Sequence, residues 1–295
     1  MTQRLVVVLA HAADMAGAAL AAALHHRGRV AVRFVTDTEL ATGAQFTHLS
    51  PTGPPGTPAS ASDRVTLADG TELSVKTLAA VHCRLSVVLP ARFAEAEQPD
   101  WEYAAAEFHA LLVSWLAGLP LPVANRPSPL GLGGPLRDVL STLALARRAG
   151  LPVPDVRAVS RDDGVRAADR ERRVISAGLL PSVVDGLRPP PAGPPVGLPA
   201  LLVPPLRPER CRVLVTGGRV TGPPQVAARW GAACVRLAGM AGLEVCEVLF
   251  GTQGQGEEVC LGAEPIPPLS DPAHVAALAT YLEERSEQRA EATPP

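Results

Sequence analysis

The opening segment of this 295-residue chain alternates between two apolar patterns, and this alternation constrains the fold more than any other feature. Residues Arg4 to Ala10 are a run of Val and Leu, typical of a strand buried on both faces of a parallel sheet. The Ala-rich stretch from Met15 to His26 stops at Gly28, which favours a helix with a glycine stop. Val30 to Val35 is a second strand pattern. This strand–helix–strand unit predicts the start of a doubly wound α/β domain.

Hairpins and helices are predicted for the rest of the chain. Asp69-Gly70 lies between two apolar segments, and this dipeptide favours hairpin turns because it tolerates a positive φ angle. We expect a strand over residues 81–88, carrying His82 and Arg84, and a long helix over residues 99–117. Further predicted elements are a short strand (120–125), a helix (136–148), a strand (156–159), a hairpin (211–221), a helix (227–241), a hairpin (243–261) and a final helix (271–288).

Lysine is almost absent, because Lys76 is the only lysine among 27 Lys and Arg residues. The tripeptide Gly-Lys-Ser/Thr of phosphate-binding loops does not occur, and a Schiff-base mechanism would have only Lys76 to use. GC-rich codons explain the bias towards arginine, but chemistry that needs an ammonium group must still do without it. The formal net charge of -2 argues against a nucleic-acid-binding or membrane-surface protein.

Neither the cysteines nor the apolar amino terminus indicates metal binding or export. The five cysteines are odd in number and have no C-x-x-C spacing, so we expect buried free thiols rather than a zinc site or disulfides. His11 and Asp14 interrupt the apolar residues 5–24, which is atypical of a signal peptide. No uninterrupted apolar run, proline and glycine excluded, reaches about 18 residues. The sequence therefore predicts no membrane span and a cytoplasmic protein.

Short segments in a fixed order resemble one protein family. They are TDTEL (36–40), HCRLSVV (82–88), VANRP (123–127), ARRAGLPVPDV (146–156), CRVLVTGGRV (211–220), AGLEVCEVLF (241–250) and EEVCLGAEPIP (257–267). Together they resemble the ATP-grasp superfamily, and within it the amine and peptide ligases, including those that crosslink ribosomal peptides. The resemblance implies an α/β fold with an N-terminal doubly wound pre-ATP-grasp-like domain at 1–122. A reduced ATP-grasp-like α+β region would follow at 123–290, with a lid-like part at about 155–225.

At the positions where the family contacts ATP, this chain departs from the pattern. The resemblance places two phosphate-binding lysines at residues 133–137 (GGPLR) and at Ser176, and neither position holds a lysine. The acidic adenine-hinge segment of the family falls on Val203-Pro204-Pro205. The Mg²⁺ ligands of the family, an Asp and a Glu-x-Asn triplet, fall on Leu249 and on Gly262-Ala263-Glu264. We therefore expect at most one of the three oxygen ligands to remain.

Six residues are candidate ligand-binding positions, and several have a structural alternative. They are Arg84, Glu107, Asn125, Arg126, Arg212 and Glu264. Arg84 would bind a carboxylate or phosphate, or instead form an ion pair at a strand end. Glu107 and Asn125 would otherwise cap or orient a neighbouring loop.

Weaker candidates are a glycine-rich loop and a group of carboxylates. The loop at residues 131–134 would cradle an anion with its N–H groups, or else form a flexible link. Glu257 and Glu258 would join Glu264 around a cation, or remain solvated turn carboxylates. We assign no metal site, and we find no Ser/His/Asp order and no nucleophile elbow to assign.

A retained fold pattern without the ATP ligands leads to one main hypothesis. ATP carries about four negative charges, and phosphoryl transfer depends on neutralising them. We expect a non-catalytic ATP-grasp-like accessory or binding protein in a peptide or small-molecule biosynthetic system. It would need no cofactor, and its ligand would be a peptide, a small molecule or a partner enzyme, not nucleic acid or a membrane. A homodimer is the expectation from the base rate for soluble oligomers.

Two alternatives stay open. The first is an ATP- and Mg²⁺-dependent carboxylate–amine (or ester) ligase in which arginines replace the lysines, since a guanidinium binds phosphate bidentately. The available arginines are Arg137, Arg172, Arg173 and Arg212. The second alternative is a different enzyme that uses the same cleft without ATP.

Overall fold

A computed structural model describes residues 4–48, 63–159, 173–176 and 200–292. The strands are β1 (Leu5–Ala10), β2 (Ala31–Thr36), β3 (Gln45–Thr47), β4 (Arg64–Thr66), β5 (Glu72–Ser74), β6 (Leu78–Cys83), β7 (Val123–Ala124), β8 (Arg157–Val159), β9 (Arg173–Ser176), β10 (Ala200–Val203), β11 (Leu206–Thr216), β12 (Arg219–Thr221), β13 (Val245–Gln253) and β14 (Glu257–Glu264). The helices are α1 (Met15–Arg27), α2 (Asp37–Thr42), α3 (Gln98–Gly118), α4 (Val139–Arg148), α5 (Pro224–Ala241) and α6 (Pro272–Ala292).

Two compact units make up the chain. The first comprises Met1–Pro135 and Pro268–Pro295, and the second comprises Leu136–Pro267. The first unit thus includes α6, which the resemblance assigns to the second region. The division at residues 122 and 123 concerns family domains and stays a prediction. Most of the lid-like part, including Arg172 and the side chain of Arg173, lies outside the described residues.

A parallel sheet in the order β2-β1-β6-β7 forms the centre of the first unit. Successive residues of β1 alternate between its two faces. Val7 and Leu9 belong to a core cluster with Leu112 and Trp115 of α3, while Val6 and Val8 are also buried. Helices α1 and α6 pack against each other, and both contact β1. The predicted mixed α/β fold class, with a parallel sheet, is confirmed.

Local signals define where helix α1 begins and ends. The Asp14 carboxylate accepts hydrogen bonds from the N–H groups of Ala16 and Gly17, both at 3.0 Å. Gly28 ends the helix with a φ of 65°, in the left-handed region that favours glycine. The predicted glycine stop is therefore confirmed.

The strand predicted at residues 81–88 is shifted in the structure, where β6 spans Leu78–Cys83. Its neighbour β1 ends at Ala10, and Leu9 is the last β1 residue paired with it, opposite Cys83. The N–H of Arg84 still donates to the Leu9 carbonyl, but no further ladder partner follows. Arg84 therefore lies directly after the strand and not within it.

Two antiparallel sheets form the second unit, in the orders β8-β10-β9 and β12-β11-β13-β14. One face of the four-stranded sheet packs against α4 and α5, in a cluster that includes Val213, Val248 and Leu237. The opposite face contributes Leu249 and Leu261 to a second cluster with β10. No helix among the described residues is both long and apolar enough to cross a membrane.

Candidate functional site

In the first unit, polar side chains collect where the parallel strands β1, β6 and β7 end. Asp14 follows β1 at the start of α1, Arg84 follows β6, and Asn125 follows β7. Ligands of open α/β sheets bind at this edge, because the strand ends and helix amino termini meet there. This edge is the candidate site of the first unit.

Arg84 and Asp14 form a two-bond ion pair at this edge. The Arg84 Nε–H donates to Asp14 Oδ2 at 2.7 Å, and Nη2–H donates to Oδ1 at 3.2 Å. Burial by itself raises the pKa of Asp14, but hydrogen bonds from Arg84 and from the Gly17 N–H outweigh it and lower that pKa. The Arg84 side chain is only 3% exposed. The structural alternative for Arg84 is thus present, and its ligand-binding role stays a prediction.

His82, which the sequence did not single out as a site residue, is fully buried beside this ion pair. Its Nδ1–H donates to the Ala124 carbonyl at 2.7 Å. Burial, followed by the nearby positive charge of Arg84, lowers the pKa of His82 to about 3. The imidazole is therefore neutral near pH 7, and its Nε2 lone pair has no hydrogen-bond partner within the described part of the chain.

Asn125 and Arg126 bond to nearby backbone in the first unit, whereas Glu107 does not. The Asn125 side chain is buried and donates to the Gly133 carbonyl at 3.1 Å. Arg126 donates to the carbonyls that follow the last turn of α3, including those of Leu119 and Leu121, both at 2.8 Å. Glu107 is exposed on α3. The ligand-binding roles of these three residues stay predictions.

The glycine-rich loop at residues 131–134 already uses part of its backbone within the protein. The Gly131 N–H donates to the Ser128 carbonyl, and the Leu132 N–H donates to the Ser86 carbonyl. An anion cradle needs free N–H groups that converge on one point. Two of the N–H groups are committed elsewhere, which favours the linking role.

In the second unit, Arg212 of β11 holds two carboxylates on one face of the sheet. Its Nη1–H donates to Glu247 Oε2 at 3.0 Å and to Glu264 Oε2 at 2.5 Å. Glu247 and Glu264 lie directly opposite each other on β13 and β14. Burial by itself lowers the pKa of Arg212, but the hydrogen bonds and charges of Glu264 and Glu247 raise it. The guanidinium therefore stays charged between the two carboxylates.

Glu247 is a further carboxylate on this hairpin, outside the three positions where the resemblance places oxygen ligands. The family pattern places the first acidic ligand at residue 249, so alignment passed over a glutamate two residues earlier. Residues two apart on a strand share a face, so Glu247 and Leu249 point the same way. Glu247 is completely buried. The sequence signal that could have identified it is a single charged residue within the otherwise apolar β13, because a buried charge needs a partner.

The positions where the resemblance places the Mg²⁺ ligands do not suit a hard cation. Leu249 lies opposite Gly262 across β13 and β14, so the two family positions do come together. However, Leu249 is fully buried in a hydrophobic cluster with Leu201, Val203 and Leu261. The nearby carboxylates are neutralised by Arg212, whereas Mg²⁺ requires oxygen ligands of its own. The described residues at these positions thus do not fit the Mg²⁺ of Mg-ATP, and we derive no step through it.

The remaining carboxylates and thiols give no metal-binding cluster. Glu258 accepts a hydrogen bond from the Trp230 indole N–H at 3.1 Å and lies 3.6 Å from Arg229. No group of three His, Cys, Asp or Glu side chains in the described ranges could hold a metal ion. The cysteines are free, and all but the half-buried Cys211 are buried, as expected. Burial raises the pKa of Cys260 to about 12, so its thiol stays protonated.

A parallel α/β unit and an antiparallel unit of this kind together define a fold class, and this chain has the ATP-grasp fold. The ATP-grasp ligase PsnB, solved with a minimal precursor, has a TM-score of 0.69 and 18% identity, covering 97% of this chain and 100% of that chain. Macrocyclase MdnC from Microcystis aeruginosa MRC, bound with precursor peptide MdnA, has a TM-score of 0.68 and 12% identity, covering 94% and 99%.

A third solved structure shares the fold over the same length. A RiPP-associated ATP-grasp ligase from Chryseobacterium gregarium, in complex with ADP and a leader and core peptide, has a TM-score of 0.65 and 12% identity, covering 99% of this chain and 98% of that chain. No protein-family model and no curated protein matches the sequence. The predicted resemblance to ATP-grasp ligases, including those associated with ribosomal peptides, is confirmed at the level of the fold.

Proposed function

We propose that this chain is an ATP-grasp-like accessory protein, non-catalytic with respect to phosphoryl transfer, that binds a peptide in a biosynthetic system. The observation that carries the proposal is the Arg212–Glu247–Glu264 network together with the buried Leu249. Phosphoryl transfer by this fold needs metal ions between the β- and γ-phosphates. A leucine packed in the core cannot coordinate such an ion, and the two carboxylates already have a cation. These features support binding without phosphoryl transfer.

A peptide is the ligand class that the similar structures favour. PsnB, MdnC and the Chryseobacterium gregarium ligase were each solved with a precursor or a leader and core peptide. At the carboxyl edge of the first unit, Arg84 and Asp14 would bind such a ligand by exchanging part of their mutual ion pair for it. A small molecule and a partner enzyme remain the other outcomes of a binding screen.

The alternative of an arginine-based ligase relies on side chains that already have partners. Arg137 donates to the Ala241 carbonyl at the end of α5, at 3.4 Å, and Arg212 holds the two glutamates. Arg172 and the side chain of Arg173 lie outside the described residues. Within the described part of the chain, the ligase alternative therefore needs Arg137 or Arg212 to exchange a protein partner for a phosphate.

Nucleotide titration separates the proposal from this alternative. Mg-ATP and Mg-ADP are titrated into the protein by calorimetry, and ADP release is followed with peptides selected from a displayed library. We expect no nucleotide binding tighter than about 1 mM and no ADP release. Micromolar binding with peptide-dependent ADP release would overturn the proposal. In that case Arg137→Ala should abolish turnover, while the exposed Arg147→Ala control on α4 should not.

Peptide selection against the immobilised protein tests the ligand class. Glu107→Gln removes an exposed charge on α3 at a predicted binding position, and Glu102→Gln removes one from the same helix as a matched control. We expect Glu107→Gln alone to weaken binding of a selected peptide. If no peptide is retained at micromolar concentration, the peptide proposal is wrong. Light scattering of the same sample tests the proposed homodimer.

A further inference from the structure

Three side chains that are distant in the sequence form a hydrogen-bonded row in the first unit. His48 follows β3, Asp63 precedes β4, and Ser114 lies on α3. Thr47 pairs with Arg64 across the antiparallel ladder, which places His48 and Asp63 at the same end of β3 and β4. His48 Nδ1 lies 2.9 Å from Asp63 Oδ2, and Nε2 lies 2.7 Å from Ser114 Oγ. The hydrogen-bonded side chains therefore follow one another in the order serine, histidine, aspartate.

Burial increases along the row from the serine to the aspartate. The Asp63 side chain is completely buried, the His48 side chain is 9% exposed, and Ser114 is exposed. A carboxylate accepts a hydrogen bond, so it holds the histidine proton on Nδ1 and leaves the Nε2 lone pair facing Ser114. The Ser114 hydroxyl then donates to that lone pair, which is the arrangement of a nucleophile beside a general base.

The surroundings hold the histidine side of the row in place and leave the serine open. Phe46, two residues before His48, packs edge-on against Phe108 and Trp115 of α3. These contacts fix β3 against the helix that carries Ser114. Ala110 and Ala117, one helical turn on either side of Ser114, are small and exposed. Ser114 is itself exposed, so a reagent can reach this position on the helix.

We propose that Ser114 is an activated nucleophile, with His48 as its general base and Asp63 as a positioning residue, and that it accepts acyl groups from activated carboxylic esters. Ser114 Oγ attacks the ester carbonyl while His48 Nε2 takes the hydroxyl proton. The carbon–oxygen bond to the leaving group breaks, and His48 returns the proton to the departing oxygen. The products are O-acyl-Ser114 and one alcohol. His48 Nε2 then takes a proton from a water molecule that attacks the acyl group, the bond to Ser114 Oγ breaks, and the proton returns to Oγ. This step releases the carboxylic acid and restores the serine.

The helical position of Ser114 sets the expected kinetics. Backbone N–H groups within α3 donate to carbonyls of the preceding turn, so those beside Ser114 cannot stabilise an oxyanion. Acylation should therefore need a reactive ester, and hydrolysis of the acyl-serine should be slower still. With p-nitrophenyl acetate we expect a burst of nitrophenolate close to one equivalent, followed by slow turnover.

The test uses a fluorophosphonate probe, whose phosphorus takes the serine oxygen and loses fluoride, with peptide mapping by mass spectrometry. Ser141 is an internal control, since it is exposed and its hydroxyl donates to Asp138 at 2.6 Å instead of to a histidine. A positioned general base contributes about 10²–10⁴-fold, so we expect Ser114 to react at least about 100-fold faster than Ser141. This comparison within one folded molecule needs no variant. Equal rates at the two serines would overturn the proposal.

Variants then assign the roles of the three residues. Ser114→Ala should remove the nitrophenolate burst, while Ser141→Ala should retain it. His48→Ala should slow labelling about 100-fold, and added imidazole should restore part of the rate, which a purely structural role would not allow. Asp63→Asn should slow labelling at least about tenfold at an unchanged melting temperature. If His48→Ala or Asp63→Asn folds and labels at the wild-type rate, the row is only a structural crosslink.

Discussion

Replacing Arg212 by methionine tests whether the charge network in the second unit is a closed structural unit. The change keeps a long apolar side chain on β11 but removes the cation between Glu247 and Glu264. Glu247 is completely buried, and Glu264 is 13% exposed on the neighbouring strand. Two unneutralised carboxylates would then face each other across β13 and β14.

The expected cost follows from this burial. Removing one partner of a buried ion pair costs about 3–5 kcal/mol, because the remaining charge is left without compensation. Arg212 is 19% exposed, and water reaching this edge screens part of the repulsion. We therefore expect the unfolding free energy of the second unit to fall by about 3 kcal/mol at pH 7.

The variant should regain stability in acid. Without Arg212, burial and the like charge raise the pKa of at least one of the two glutamates above the unfolded value of about 4.3. When folding raises the pKa of a carboxyl, the folded protein loses stability as the pH rises from the pKa of the unfolded state to that of the folded state. Lowering the pH from 7 to 5 should thus recover about 1–2 kcal/mol. The wild type, in which Arg212 lies between the two carboxylates, is the reference at both pH values.

Hydrogen exchange of peptides from β11 and β13, measured at increasing urea concentration, reports the unfolding free energy of the second unit alone. Arg207→Met is the matched control, because Arg207 is an exposed residue of the same strand, and it should cost less than about 0.5 kcal/mol. A triple variant, Arg212→Met with Glu247→Leu and Glu264→Leu, should come within about 1 kcal/mol of the wild type. A loss for Arg212→Met below about 1 kcal/mol, or an equal loss at pH 5 and pH 7, would refute the reasoning.

Three further predictions concern the first unit. His82→Asn keeps a donor for the Ala124 carbonyl, and it should reduce the loss of stability on acidification from pH 6.5 to 4.5. The reason is that the wild-type histidine has a lowered pKa and takes up a proton only on unfolding. Urea titrations at both pH values check this prediction, and equal losses of stability in the variant and the wild type would contradict it. Arg126→Met should cost about 2 kcal/mol and increase hydrogen exchange at the end of α3, since it removes charged donors from the carbonyls there. Asp14→Ala should cost about 3 kcal/mol in thermal unfolding, because it removes the α1 cap and the partner of Arg84, and Asp14→Asn should recover about 1 kcal/mol by restoring the cap.

The local elements of this fold were largely predictable because single residues determine where they end. Gly28 and Gly242 close α1 and α5 with φ angles of 65° and 74°, and Asp69-Gly70 forms the turn between β4 and β5. Helix α2 was not predicted, although the sequence contains a signal for the start of a helix. Thr36 and Glu39 cap each other's backbone in the Thr-x-x-Glu pattern that starts a helix.

The placement of α6 could not be derived from local pattern. An amphipathic helix shows which of its faces is apolar but not which distant surface buries it. Arg27 donates to Glu283 at 3.0 Å and Arg289 donates to the Pro120 carbonyl at 2.6 Å, so α6 packs within the first unit. These contacts join residues 169 and 256 positions apart, a separation that strand and helix periods do not encode.

The second-unit site was only half predictable for a related reason. Alignment to a family pattern asks whether an expected ligand is present, and it correctly placed Leu249 opposite Gly262. Such an alignment compares only the expected ligand positions and not the other residues on the same strand face, so it did not identify Glu247. Only the register of β11, β13 and β14 shows that Arg212 can reach both glutamates. The serine row at His48, Asp63 and Ser114 depended in the same way on a contact between a hairpin and a helix.

The charge balance around Arg212 and the packing of Leu249 bear on the proposed function of the chain. Loss of metal ligands by drift alone would leave a buried glutamate without its cation, at a cost comparable to a large part of the stability of a domain. Instead Arg212 neutralises Glu247 and Glu264, and Leu249 belongs to the adjoining apolar cluster. The charges and the apolar packing of these residues are mutually consistent, whereas phosphoryl transfer depends on charged groups and metal ions around the phosphates. The Arg212 variants test whether this network stabilises the fold, and the nucleotide titration tests separately the proposal that the chain does not transfer phosphoryl groups.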